Sequence, residues 1–176
     1  GLAGTTLAHH LLKKGKNIYI LDDGEENTSS KVAAGLYNPI TGRKMVLTWR
    51  AHDLFSYVEP FYTGIESQLS SQFFFDTPIY RPFLSLEEQN EWMGKSTDSE
   101  YTPYIKEVHL SSTHKEFIHD PHGGIELKKC GYVDIAGYLE ASKTFFENRK
   151  ILMQESFDPT QLHIDDAVHY KGLSAT

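Results

Sequence analysis

Cysteine is almost absent: Cys130 is the single one in 176 residues. An intramolecular disulfide is therefore impossible. Zinc modules built on four cysteines, or on two cysteines with two histidines, are excluded, and this usage fits a reducing cytoplasm. Long apolar runs are missing as well. No stretch approaches the roughly 18 consecutive apolar residues of a membrane span, and the first residues lack the basic, apolar and small-residue order of a secretory signal. Positive charge is scarce, with 17 Lys and Arg against 24 Asp and Glu and a net charge of −7. No broad field exists to attract phosphate backbones or anionic lipid, so neither nucleic acid nor membrane is an expected partner. Low-complexity tracts and internal repeats are absent too. What is present is globular composition, 39% apolar and 12% aromatic, in a length that allows one domain or one domain plus part of another.

The pattern along the chain alternates helical and extended periods. Residues 4–14 predict an amphipathic helix through Leu7, Ala8, Leu11 and Leu12, with Gly15 placed for a left-handed stop. A short strand at 18–21 follows, ended by the turn signal Asp22-Asp23-Gly24. Residues 24–44 read as a long irregular loop, and 47–71 as a helix with Trp49, Phe55, Phe61 and Tyr62 in its apolar stripe, interrupted near Pro60 and Gly64. Short strands are expected across 73–84 and 101–134, including Phe117-Ile118, with a helix at 86–93 opened by a capping box at Ser85. Asp134 caps an expected helix at 136–147. After it, 151–155 and Leu162-His163-Ile164 read as a strand pair, with no terminal element beyond them.

One constellation carries chemistry. Gly1-Leu2-Ala3-Gly4 leads into the first helix, a strand follows, and Asp22 stands 18 positions after Gly4. This is the latter part of a dinucleotide-binding βαβ fingerprint. Gly1 lets the backbone approach a pyrophosphate, Gly4 lets the helix sit close on the sheet, and the helix N-terminus offers free N–H groups and positive dipole. Asp22 would accept hydrogen bonds from a ribose, which favours FAD or NAD over the 2′-phosphate of NADP. The competing interpretation of a Gly-x-x-Gly before a helix is tight helix packing alone.

Here the sequence resembles the D-amino-acid oxidase-like superfamily of FAD-dependent oxidoreductases, in the branch of glycine and sarcosine oxidases. Three segments carry the likeness: Gly1 through Asp22; the small-residue loop from Ser29 and Ser30 through Ala33-Ala34-Gly35-Leu36-Tyr37-Asn38-Pro39; and Gly131-Tyr132-Val133-Asp134 with the helix and strand after it. The resemblance implies an α/β fold in two parts. A Rossmann-type FAD domain would be formed by 1–44 and 135–176, and an α+β substrate domain with an antiparallel sheet by 45–134. It implies oxidation of a C–N bond of an amine or amino acid by hydride transfer to flavin. It also implies FAD contacts at Gly1, Leu2, Ala3, Gly4, Asp22, Asp23, Ser29, Ser30, Ala33, Ala34, Gly35, Leu36 and Phe157. The pattern further calls for a strand before residue 1 and a return strand and glycine-rich segment after residue 176, so the sequence is expected to be a fragment that aggregates when expressed alone. An NAD-dependent dehydrogenase is the second enzyme class, disfavoured because the loop at 24–44 and the β-rich 73–134 interrupt regular βα alternation. A non-enzymatic globular module is the third.

Outside these segments the signals are weaker. Arg43 and Lys44 could hold a negative charge near the flavin or a substrate carboxylate, and Arg81, fixed beside Pro82, could clamp a carboxylate. His114, His119 and His122 lack the carboxylate frame and helical spacing of a metal site, so no metal is expected. His9 and His10 read as surface or boundary positions, and Cys130 as a small buried hydrophobe. No catalytic base can be named.

Overall fold

The structure is a computed structural model that describes residues 1–42 and 44–175, so that Arg43, a candidate substrate contact, lies outside the described residues. The elements in chain order are α1 (Leu2–Lys13), β1 (Ile20–Asp22), β2 (Leu36–Tyr37), β3 (Ile40–Thr41), β4 (Val46–Leu47), α2 (Ala51–Leu69), β5 (Phe74–Asp76), β6 (Ile79–Pro82) and α3 (Leu86–Lys95). There follow β7 (Ile105–His109), β8 (Gly124–Leu127), β9 (Gly131–Val133), α4 (Ile135–Asn148), β10 (Leu152–Gln154), β11 (Leu162–Ile164), β12 (Val168–Tyr170) and β13 (Leu173–Ala175). The chain is thus α/β, with four helices and several small antiparallel sheets among the described residues. None of these helices is long and apolar enough to cross a membrane.

Two compact units divide it: residues 1–35, 62–73 and 134–176 in the first, and 36–61 and 74–133 in the second. Residues 36–42 and 44 therefore group with the second unit and 62–73 with the first.

In the first unit, β1 and β10 form a parallel pair in the register Ile20↔Leu152, Leu21↔Met153 and Asp22↔Gln154. α1 and α4 supply Ala8 and Phe146 to a core with Ile18, and Leu11, Leu12, Ile20 and Leu152 pack against it. α1 ends as its sequence requires: Gly15 sits at φ +71°, its N–H donates to Leu12 O, and Lys16 N–H donates to Leu11 O, the two bonds of a Schellman stop. The apolar stripe is rotated from the expected one. Leu7 is 58% exposed while His9 is 4% exposed, because a face centred on Ala8, His9 and Leu12 leaves Leu7 almost opposite at 100° per residue. β10 pairs with β1 and not with β11. β11 instead pairs antiparallel with β12, and β12 with β13, so 162–175 is a three-stranded meander, its last two strands lying where no element was expected.

In the second unit, β6–β8–β7 and β2–β9–β5 are antiparallel sheets and β3–β4 is a hairpin. Ile40, Met45, Phe83, Trp92, Tyr104, Ile125 and Leu127 form its core. Three expectations are corrected. The loop 24–44 contains β2 and β3; 46–47 is strand, leaving Trp49 outside α2 and 77% exposed; and Phe117-Ile118 lies in a turn, with Phe117 84% exposed. α2 runs without interruption through Pro60 and Gly64.

α3 shows half of a capping box. Ser85 Oγ accepts from Glu88 N–H at 3.2 Å, but Glu88 reaches one residue further back, its Oε2 accepting from Leu84 N–H at 2.7 Å. Ser85→Ala is expected to lower stability by about 1 kcal/mol, read as a shift in urea midpoint.

Candidate functional site

In the first unit three segments meet where β1 ends. α1 begins with Gly1 as its N-cap residue, no side-chain cap and no acidic residue in its first turn. Leu2 N–H donates to Ser30 Oγ at 2.9 Å. A Cβ on Gly1 would stand 2.9 Å from that oxygen, so glycine is what lets the Ser30 segment come this close. Asp22 closes β1 with its side chain 47% exposed, and its Oδ2 lies 3.5 Å from the Gly1 backbone nitrogen. Its Oδ1 accepts from Gly24 N–H at 2.9 Å, forming the turn that the Asp-Asp-Gly sequence announces. Gly24 is at φ +77°, and a Cβ there would meet Gln154 Nε2 at 2.6 Å. A carboxylate, a serine hydroxyl and the positive end of a helix thus share one corner at the C-terminal edge of a parallel strand pair.

The other expected cofactor contacts are placed separately. Ala3 and Gly4 are exposed in the first turn of α1. A Cβ on Gly4 would meet nothing within 4 Å, so close packing on the sheet is not the reason for this glycine. Asp23 is exposed, its Oδ1 accepting from Glu25 N–H at 3.2 Å, and Ser29, Ala33 and Ala34 are exposed, with Gly35 at φ +70°. Phe157 stacks on Tyr170 at 5.4 Å and lines a cavity of about 90 Å³ with Tyr19, Leu21, Met153 and Leu173.

In the second unit, Leu36 on β2 is 71% exposed and stands opposite Tyr132 on β9, which stands opposite Phe75 on β5. The rings of Phe75 and Tyr132 stack at 4.8 Å. These three residues make an apolar stripe across one sheet. Lys44 is exposed. Arg81 holds a carboxylate, that of Glu88, through Nη2 at 3.0 Å from Oε1, and so ties β6 to the start of α3.

His9 departs most from expectation. It is buried, its Nε2 lies 3.0 Å from Ser142 Oγ, and its ring packs against Phe145 and Phe146 at 5.8 and 4.9 Å. Burial, with a smaller contribution from the charge of His10, pushes its pKa down to about 4. A lone His on a helix carries no sequence signal for this. The facing Ser142 and the two phenylalanines of α4 are the partners that pull it in.

Asp120 was likewise not legible in the sequence. It is buried and accepts from Ser112 Oγ, Thr113 N–H, His114 N–H and Tyr80 Oη. These bonds, Ser112 first, hold its carboxyl well below the usual range. Tyr80 is pushed up to about 12 by burial and then by its bond to Asp120. The effect is to staple the 111–120 loop. His114 packs edge-on against Tyr80 at 4.5 Å, and His119 is exposed. Among the described residues, the three-membered group able to offer metal ligands is Glu107, His109 and Glu126, and not the three loop histidines.

Compared with known families and folds, the chain matches no protein-family model and no solved structure.

Proposed function

We propose that this chain carries the Rossmann-type nucleotide-binding side of an FAD-dependent oxidoreductase of the D-amino-acid oxidase-like kind, acting in the cytoplasm on the C–N bond of an amine or amino acid. The observation that carries the reading is the corner formed by Gly1, Asp22 and Ser30: a helix start with no cap from its own N-cap residue, Leu2 N–H on Ser30 Oγ at 2.9 Å and Asp22 Oδ2 at 3.5 Å from the Gly1 amino group. In parallel α/β sheets, ligands bind at this edge. The residues fit a dinucleotide. Gly1 lets Ser30 close against the helix start, and the space at Gly4 is open, so the amides of Ala3 and Gly4, next along α1, are approachable by a pyrophosphate.

The roles follow from the chemistry of each group. Amides of Ala3 and Gly4 donate to phosphate oxygens, while Ser30 Oγ holds the amide of Leu2. Asp22 accepts from ribose hydroxyls and, being anionic, discriminates against a 2′-phosphate. A bound flavin would supply the redox chemistry, accepting the hydride that leaves the substrate α-carbon. Cys130, buried and free, gives the chain no dependence on an oxidising compartment.

The test is titration of the purified protein with FAD, followed by visible absorbance and fluorescence quenching. Binding is expected, and Asp22→Ala should weaken it by the value of one or two charge-assisted hydrogen bonds, about 1.5–3 kcal/mol each, or roughly tenfold to a hundredfold for one. Absent binding, or an affinity unchanged in Asp22→Ala, would overturn the reading. Titration with NADH in parallel separates the dehydrogenase alternative.

A further inference from the structure

We propose that Glu107, His109 and Glu126 form a binding site for a first-row divalent cation of the zinc type, independent of any nucleotide. The site is built by an irregularity in the β6–β8–β7 sheet. Ile105 pairs with Leu127, but Glu107 pairs with Glu126, because a bulge between Ile105 and Glu107 leaves Lys106 as an extra residue. Simple alternation would put Ile105, Glu107 and His109 on one face. With the bulge, Ile105 stays on the core face with Leu127 and Ile125. Glu107 and His109 move to the other face, where Glu126 already points.

The result is two carboxylates directly opposite each other across the ladder, an arrangement that destabilises a sheet unless a cation lies between them. One positive charge is present: Lys106 Nζ reaches Glu126 Oε1 at 2.7 Å. The remaining atoms converge at ion-pair distance, beyond hydrogen-bond reach. His109 Nε2 lies 3.6 Å from Glu126 Oε2 and Nδ1 lies 3.9 Å from Glu107 Oε1. Nε2 is buried with no hydrogen-bond partner among the described residues, which native side chains seldom leave unexplained. One donor atom from each of the three residues can be chosen so that all lie within 4.8 Å of one another.

Donors around a tetrahedral zinc stand about 3.3 Å apart, given metal–ligand distances of about 2.0–2.2 Å. His109 and Glu126 are already close to this. Glu107, the exposed member, stands against the same ring with Oε1 3.9 Å from Nδ1, and a carboxylate at the rim is free to turn toward a bound cation. The His109 ring is confined by Tyr80 at 5.7 Å and His114 at 6.4 Å. One imidazole nitrogen and two carboxylate oxygens suit zinc or manganese better than copper(I), which seeks sulfur, or calcium, which seeks all-oxygen sites. Three protein ligands leave a position for water.

Calorimetric titration of the tag-free chain with zinc chloride tests this. One equivalent is expected to bind, and Glu126→Gln and His109→Ala should each weaken binding at least tenfold. Because His109 and Glu126 are largely buried, Glu107→Gln at the exposed rim is the variant that keeps the fold, and it too should lose about tenfold. Lys106→Met should bind zinc more tightly, since its ammonium no longer competes for Glu126. A merely structural ion pair would not produce that gain. Absence of zinc binding, binding unaltered in Glu107→Gln, or no gain in Lys106→Met would overturn the proposal.

Discussion

Gly131→Ala is expected to cost about 3 kcal/mol or more, at or beyond the upper end of the usual 1–3 kcal/mol for overpacking. Gly131 lies on the central strand of β2–β9–β5, opposite Tyr37 on one side and Asp76 on the other. A Cβ there would stand 2.0 Å from Phe75 O, 2.8 Å from Tyr37 Oη and 2.9 Å from Thr77 N. The tyrosine hydroxyl can swing aside, but the backbone oxygen and nitrogen cannot move without breaking the ladder. Small domains have only about 5–15 kcal/mol of stability to lose, so the variant should show a sharply lower urea midpoint or fail to fold. A midpoint within error of the parent would mean that the three strands do not meet around residue 131. The same geometry explains why the run Gly131-Tyr132-Val133-Asp134 starts with glycine. The first residue is pressed between two strands, and the last caps α4 by accepting from Gly137 N–H at 3.1 Å.

The second large effect is a pH dependence centred on His9. Its folded pKa, about 4, lies below the ordinary 6.5, so the unfolded chain binds the extra proton between these values and stability rises with pH across them. The stabilisation is complete above about 6.5, is lost as pH falls toward 4, and changes no further below that, where the folded ring also charges. The total is about 3 kcal/mol. Carboxylates titrate in the same range, so the contribution is isolated as the difference between parent and His9→Gln, with thermal unfolding followed from pH 7 to pH 4. The parent should lose more stability than the variant over this interval. Parallel curves would show that His9 is solvated.

Both effects trace to residues whose importance the sequence displays unevenly. Helices were legible where their stop and start signals are local: Gly15 ends α1, Ser85 opens α3 and Asp134 opens α4, each through a bond to a residue no more than four positions away. Proline 60 and Gly64 are breakers by propensity, yet α2 passes through both, with Phe61 and Ile65 buried beside them. Burial of an apolar face outweighs a local preference of a few kcal/mol. Of the candidate cofactor residues, Gly1, Leu2, Asp22 and Ser30 come together, and only the first three stand in a spacing that the fingerprint specifies.

What the sequence determined by itself is therefore what depends on neighbours along the chain. It set the α/β character, three of the four helices to within two residues at either end, the turn at Asp22-Asp23-Gly24, and the absence of disulfides. Tertiary structure decided the rest. β1 takes β10 as its partner from about 130 residues away, the face of α1 turns so that His9 is buried, Ser30 reaches the start of α1, and the bulge at Lys106 moves Glu107 and His109 to the face of Glu126. Each of these joins residues far apart in sequence, so no local propensity specifies it, and burial of apolar surface on packing supplies the free energy that holds it.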